Sequence, residues 1–163
     1  MNIRPMQQED AAAVLEIYAE GIDDRIATFE IKCPSWEDWD NNHAKSCRLV
    51  AESDGKIVGW AALSPVSRRA CYAGVAEVSV YIARSARGRG AGLALLGAVV
   101  KASEQAGYWT LQGSTFEENA ASLKIQQQCG FRVVGTRERV SKLDGQWRTT
   151  VITERRSNAV GVD

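Results

Sequence analysis

Arg87-Gly88-Arg89-Gly90-Ala91-Gly92 sets three glycines and two guanidinium groups within six positions, directly ahead of an apolar stretch with helical spacing. A helix beginning at such a loop presents unpaired N–H groups and the positive end of its dipole, which suits a phosphate. Glycines let an anion approach the main chain, and Arg87 and Arg89 add charge. The same segment also fits a flexible turn. Two familiar phosphate loops are excluded. Gly92 is followed by Leu93-Ala94 rather than Lys-Ser/Thr, and the third glycine of a dinucleotide fingerprint is replaced by Leu93 or Leu95.

Glu77 is the only charge in Val75-Ala76-Glu77-Val78-Ser79-Val80. A carboxylate within a half-buried strand is costly unless it lies at an exposed edge or is employed. Employed, it is a base: an α-amino group, with a pKa of about 8, must lose a proton before it attacks a carbonyl. Arg68-Arg69 offers bidentate donors to an anionic head group, or simply two surface charges. Asn119, three residues before Ser122, reads as a helix N-cap that can also face a ligand. His43, the single histidine, lies in a polar, tryptophan-rich stretch and has no motif of a Ser-His or Cys-His pair around it. Cys33, Cys47, Cys71 and Cys129 form no CxxC, so reduced thiols are expected rather than zinc ligands, and no metal is called for.

The elements that must position these groups follow from periodicity. Gln7–Ile22 reads as a helix, with Ala11, Val14, Leu15 and Tyr18 at helical spacing. Ser35 caps a second helix opening at Trp36. Arg48–Glu52 and Lys56–Leu63 flank Ser53-Asp54-Gly55 as a hairpin. Along the strand Val75–Ala83, Val78, Val80 and Ile82 face the core while Ser79 and Tyr81 face the other way. Leu93, Leu96, Val99 and Val100 stripe the helix after the glycine loop, which stops near Gly107. Trp109–Gln112 is a short strand and Asn119–Cys129 a helix. Phe131–Thr136 and Trp147–Thr153 close the fold around Leu143-Asp144-Gly145. Mixed helices and strands in this order specify one α+β domain over residues 1–155, with a frayed tail over 156–163.

Composition agrees with one globular domain: 163 residues, 45% hydrophobic, 25% charged, net charge zero. Zero net charge argues against nucleic acid, and no apolar run is long enough to span a membrane. The N-terminus lacks the apolar run of a secretory signal, so the cytoplasm is the expected compartment. Residues 1–54 hold 5 basic and 12 acidic side chains, and residues 55–163 hold 15 and 8. The later part could serve an anionic small molecule, or the two parts could be oppositely charged solvated faces.

Arg87-x-x-Gly90-x-Gly92 after the strand, with Asn119-x-x-Ser122 and Gly130-Phe131 further on, resembles the two acetyl-CoA signatures of the GNAT N-acetyltransferase superfamily. The resemblance covers nearly the whole chain. It implies a mixed central sheet, flanked by helices and splayed where acetyl-CoA binds. By the same resemblance, Val80, Tyr81 and Ile82 provide main-chain contacts to the pantetheine arm. Arg87, Gly88, Arg89, Gly90, Ala91, Gly92 and Leu93 hold the pyrophosphate, and Asn119 and Ser122 meet the rest of the arm. Thr28-Phe29-Glu30, Pro65, Arg69, Tyr72, Glu77 and Ser79-Val80-Tyr81 resemble the phosphinothricin and methionine sulfoximine N-acetyltransferases, a pattern shared with arsinothricin acetyltransferases. The closing Trp147 resembles a tryptophan near the end of these enzymes. That resemblance implies Glu77 as general base, Phe29 and Tyr72 at the substrate pocket, and Arg69 with its neighbour Arg68 on an acidic amino-acid substrate. It further implies a homodimer and a role in detoxification or resistance.

Two positions depart from the family pattern. Ser67 stands where these enzymes often carry Lys, with Arg68 as the extra cation. Gln126 stands where they carry Tyr or His, and an amide can hydrogen-bond a thiolate but cannot act as an acid. Tyr81, Tyr108 or water is then left to protonate the leaving thiolate. Two other functions fit the same residues: acetylation of protein or peptide N-termini, and non-catalytic acyl-CoA sensing.

Overall fold

A computed structural model describes residues Met1–Asp163. After β1 (Asn2–Pro5) come α1 (Ala11–Asp23), α2 (Trp36–Asn42) and the hairpin β2 (Leu49–Ser53) and β3 (Lys56–Pro65). Next are β4 (Val75–Ile82), α3 (Ala91–Gln105), β5 (Thr110–Phe116) and α4 (Ala120–Gln128), then the closing hairpin β6 (Arg132–Leu143) and β7 (Gln146–Arg156). Both hairpin turns are Asp-Gly pairs with positive φ, 51° and 72° at Asp54-Gly55 and 50° and 77° at Asp144-Gly145, matching the twist of the strands they join.

The seven strands form one mixed sheet in the order β1-β2-β3-β4-β5-β7-β6. Alternation along β3 divides the core between its faces. Ala61 and Leu63 join Leu95, Leu96 and Val99 of α3, whereas Trp60 and Ala62 join Val14 and Ile17 of α1 and Trp39 of α2. Val78, Val80 and Ile82 pack on the α3 side, as their spacing predicts.

β4 and β5 are the only parallel pair, and they stay together over just Val75↔Thr110, Ala76↔Leu111 and Glu77↔Gln112. β4 then continues along β3 to Ile82, while β5 continues along β7 to Phe116. The sheet forks after Glu77.

Three segments differ from the sequence expectation, the first being β6, which runs on past Thr136 to Leu143. β5 runs on through Gly113-Ser114-Thr115 to Phe116, beyond the expected end at Gln112. A Cβ on Gly113 would come within 2.4 Å of Thr153 Oγ1 and 2.8 Å of Gln126 Oε1, so this glycine is a clearance inside a strand. The residues from Arg156 onward, expected to fray, are tied back. Buried Ser157 donates to Glu104 Oε1 at 2.8 Å, and the Arg156 guanidinium donates to the carbonyls of Val160 and Gly161. Glu104 lies 53 positions before Ser157, so nothing local announces that tie.

Candidate active site

The fork opens into a cavity of about 580 Å³. Glu77, Ser79 and Tyr81 face it from β4, Thr115 and Phe116 from β5, and Ser122 from α4. Glu77 sits on the last shared rung of β4 and β5, paired with Gln112 on one side and Ser64 on the other. Burial pushes its carboxyl above the usual carboxylate range, and Arg137 opposes that only in part. A carboxylate so placed holds a proton more readily than one in water, as a base must. Glu77 is therefore no exposed edge charge.

The glycine loop lies beyond the end of β4. Gly88 and Gly90 adopt φ of 74° and 86°, and a Cβ on either would meet nothing within 4 Å. Gly90 N-caps α3 without a side-chain bond, and the first helical bond at this end runs from Ala94 N to the Gly90 carbonyl at 3.0 Å. The amides from Gly88 to Leu93 thus have no acceptor in the protein, a row of donors at a helix start that fits a pyrophosphate. The backbone of β4 beyond Glu77 has no β5 partner, which fits an extended arm able to hydrogen-bond along it. A Cβ on Gly92 would touch Ile125 of α4 at 3.3 Å and Ile82 of β4 at 3.7 Å, so loop and cavity meet at that seam.

The two loop arginines divide. Arg87 is turned away from the row of amides: it pairs with Asp24 at 2.6 Å and donates through Nε to the Ile82 carbonyl at 3.1 Å. Arg84 joins the same aspartate at 2.7 Å. Burial alone would raise the Asp24 carboxyl, but these two guanidinium groups outweigh it and hold it below the usual range. Arg89 forms no ion pair or side-chain hydrogen bond within the chain and keeps its charge available.

On α4, Asn119 is a helix cap as its spacing predicts, its Oδ1 accepting from Ser122 N at 3.2 Å. Its Nδ2 donates to the Ile26 carbonyl at 3.3 Å, tying this end of α4 to the segment after α1. Gln126 is buried with every side-chain atom engaged. Nε2 donates to Thr115 Oγ1 at 2.8 Å and Ser122 Oγ at 3.1 Å, and Oε1 accepts from Thr153 Oγ1 at 2.6 Å. Its amide is thus spent on the protein, and Ser122, which accepts from it, retains its own O–H for the cavity. Of the two tyrosines considered as acids, Tyr108 packs against the α3-side core, away from the cavity. Tyr81 lines the cavity, but burial raises its phenol well above the ordinary value, making it a reluctant donor.

The expected substrate residues separate as well. Phe29 lines the cavity, edge-to-face on Phe116 with ring centroids 4.7 Å apart. Arg68, Arg69 and Tyr72 do not line it. They are exposed on the β3–β4 connection, where the guanidinium of Arg69 lies 5.7 Å from the centre of the Tyr72 ring. The connection leaves the sheet after the Pro65↔Ala76 rung and turns as a 3-10 helix at Ala70–Tyr72, which carries these side chains past the cavity within one chain.

Other cavity groups escaped the sequence. Tyr18 and His43 line it, beside the Thr28 and Glu30 that flank Phe29 in the expected loop, and Arg137 of β6 acts electrostatically on Glu77. Only the fold brings α1, the α2 end and β6 around one carboxylate.

Residues 12–131 match the model of the acetyltransferase (GNAT) family. The chain is 32% identical to the phosphinothricin N-acetyltransferase of Alcaligenes faecalis, over 97% of this chain and 83% of the relative. Its fold superposes on the ribosomal-protein-alanine N-acetyltransferase of Brucella melitensis with a TM-score of 0.90 and 27% identity, covering 96% of this chain and all of that one. It also superposes on a GNAT superfamily phosphinothricin acetyltransferase of Sinorhizobium meliloti, solved with acetyl-CoA, with a TM-score of 0.89 and 24% identity, covering 99% and 91%.

Proposed function

The chain belongs to the acetyltransferase (GNAT) family, and from that premise we propose that it transfers acetyl from acetyl-CoA to the α-amino group of a small glutamate-like amino acid. Phosphinothricin, methionine sulfoximine and arsinothricin are the proposed forms of this substrate, with detoxification as the outcome. One observation carries the proposal: Glu77 stands at the fork of the sheet, raised in pKa, inside a cavity large enough for an amino acid.

Acetyl-CoA supplies a thioester carbonyl and a thiolate leaving group. The chain does the rest. The amides from Gly88 to Leu93 and the charge of Arg89 hold the pyrophosphate, and the unpaired edge of β4 holds the arm. Glu77 takes the proton from the substrate's ammonium. Phe29 and Phe116 wall the cavity against water, and the O–H of Ser122, left free by Gln126, lines the cavity where it would supply a hydrogen bond to the leaving sulfur. Arg137 is the cation beside Glu77 suited to an acidic substrate.

A homodimer is part of this proposal. β6 is the terminal strand of the sheet and exposes Val133, Val134 and Val140, with Trp147 of β7 exposed beside it. An open sheet edge with exposed valines among its charges offers a place for pairing with a second copy.

Steady-state kcat/KM, followed by thiol release over phosphinothricin, methionine sulfoximine, arsinothricin, glutamate and N-terminal peptides, tests the proposal. Efficient turnover of a tetrahedral-headed amino acid, abolished by Glu77→Gln, is expected. Turnover of peptides alone would overturn it in favour of protein N-terminal acetylation, which the likeness to the Brucella melitensis enzyme keeps as the second reading.

A further inference from the structure

His43 ends α2 as its C-terminal cap, and its ring stacks on Trp39 with centroids 4.1 Å apart. It meets Trp60 edge-on at 5.8 Å. Nδ1 lies 2.7 Å from the Trp39 carbonyl oxygen. A carbonyl only accepts, so Nδ1 carries the proton, and Nε2 of the neutral ring is left with a lone pair. Nε2 makes no hydrogen bond within the chain.

The backbone next to His43 fixes where its ring lies. Ala44 N donates to the Leu63 carbonyl at 2.7 Å, laying His43 over the end of β3. There the rung Ser64↔Glu77 follows Leu63↔Val78. Trp60, Ala62 and Ser64 of β3 share a face with Tyr81, Ser79 and Glu77 of β4, and His43 packs on that face through Trp60. Ser64 and Ser79 of that face line the cavity together with His43 and Glu77, so both groups border the same open volume.

We propose that His43 is a further substrate-binding residue, whose Nε2 accepts a hydrogen bond from the amino group of the bound amine while Glu77 takes its proton. This rests on the N-acetyltransferase reading above. The ammonium arrives with three N–H bonds and leaves one proton on Glu77. Of the two N–H bonds remaining, one is held by His43, and the freed lone pair is thereby fixed in direction for attack. A tethered acceptor of this kind needs an uncharged ring. Burial pushes the imidazole below its ordinary value against the opposing pull of the Trp39 carbonyl. Arg48 acts in the same sense and Asp40 against it, while Glu77 and Tyr81 of β4, Tyr18 of α1 and Glu30 share the cavity.

Because His43 is the only histidine, 15N-imidazole NMR of the wild-type protein reads it without assignment. The free protein is expected to show the Nδ1-protonated tautomer. The Nε2 resonance should stay in place when CoA is added and shift when phosphinothricin, or the best-turned-over amino acid of the panel, is added. His43→Phe, which keeps the stack and removes the acceptor, should lower kcat/KM for the amine about tenfold or more with acetyl-CoA affinity unchanged. His43→Gln, whose Oε1 reaches toward the place of Nε2, should retain most of it. An Nε2 signal unmoved by an amino acid that the protein turns over, or full kcat/KM in His43→Phe, overturns this assignment alone. Absence of turnover for every amino acid overturns the broader proposal and this one with it.

Discussion

The hydroxyl of Thr153 on β7 donates to Gln126 Oε1 on α4 at 2.6 Å, across the space that Gly113 leaves open on β5. Three elements are thereby locked behind the cavity by one buried amide. Where relatives are expected to place an ionisable ring, this chain has a neutral strut that donates to two hydroxyls and accepts from a third.

Removing the strut should cost stability before chemistry. Gln126→Leu leaves the hydroxyls of Thr115 and Thr153 buried without their partner, a loss of about 2–4 kcal/mol. Urea denaturation checks the magnitude. An unchanged midpoint would show that the amide is not a strut.

Glu77→Gln should separate activity from stability. Loss of a general base lowers kcat by about 10²–10⁴-fold. A carboxyl whose folded pKa is raised contributes stability below its unfolded value of about 4.3, which is lost as pH rises through the folded value. At neutral pH the ionised form is therefore a burden that glutamine relieves. The variant's Tm at pH 7 should equal or exceed the wild type's, and the acid limb of wild-type kcat/KM should lie above the ordinary glutamate range. A variant both inactive and markedly less stable would count against the role of Glu77 as a base.

Asp24→Asn should slacken the glycine loop. The aspartate holds both Arg84 and Arg87, and its carboxyl is depressed, so its stabilising contribution is present above about pH 4 and fades as pH falls through the folded value. Acetyl-CoA affinity, measured by calorimetry, is expected to weaken severalfold. Unaltered affinity would mean that the loop holds its shape without α1.

Val134→Glu tests the proposed pairing of copies. A charge on the exposed edge strand should convert a dimer into a monomer in light scattering, with acetyl-CoA binding retained. A wild-type protein that is already monomeric at micromolar concentration would remove the dimer from the proposal.

Ser35→Ala removes the cap of α2, whose hydroxyl accepts from Asp38 N at 3.1 Å, at a cost of about 1 kcal/mol. Since His43 closes the other end of that helix, KM for the amine should rise while KM for acetyl-CoA holds. Parallel increases in both would indicate a general loss of structure instead.

The helix start at Ser35, both Asp-Gly turns and the core alternation of β4 were legible because each is a local pattern. So were the cap at Asn119 and the glycine loop before α3. Glu77 was legible for a different reason: a lone charge in an apolar strand has few explanations. What stayed hidden depends on contacts distant in sequence. Gly113 has no evident place in a strand until Gln126 and Thr153 are seen to need its missing Cβ. Arg87 reads as an unpaired loop cation until Asp24, 63 positions earlier, is found beside it. His43 has no motif because its partners are the Trp39 carbonyl and two indole rings, and Trp60 is one of them only because β3 passes beneath α2.

The fork between β4 and β5 has a mechanical consequence. Three rungs join the half of the sheet built from β1 to β4 to the half built from β5 to β7, and beyond them the seam is open. A donor molecule lying along β4 would act as a splice, supplying from outside the cohesion that the chain itself omits. Resistance to heat and to proteases then becomes a gauge of how much acetyl-CoA surrounds the protein, rising by about 2.7 kcal/mol when the ligand stands a hundredfold above its Kd.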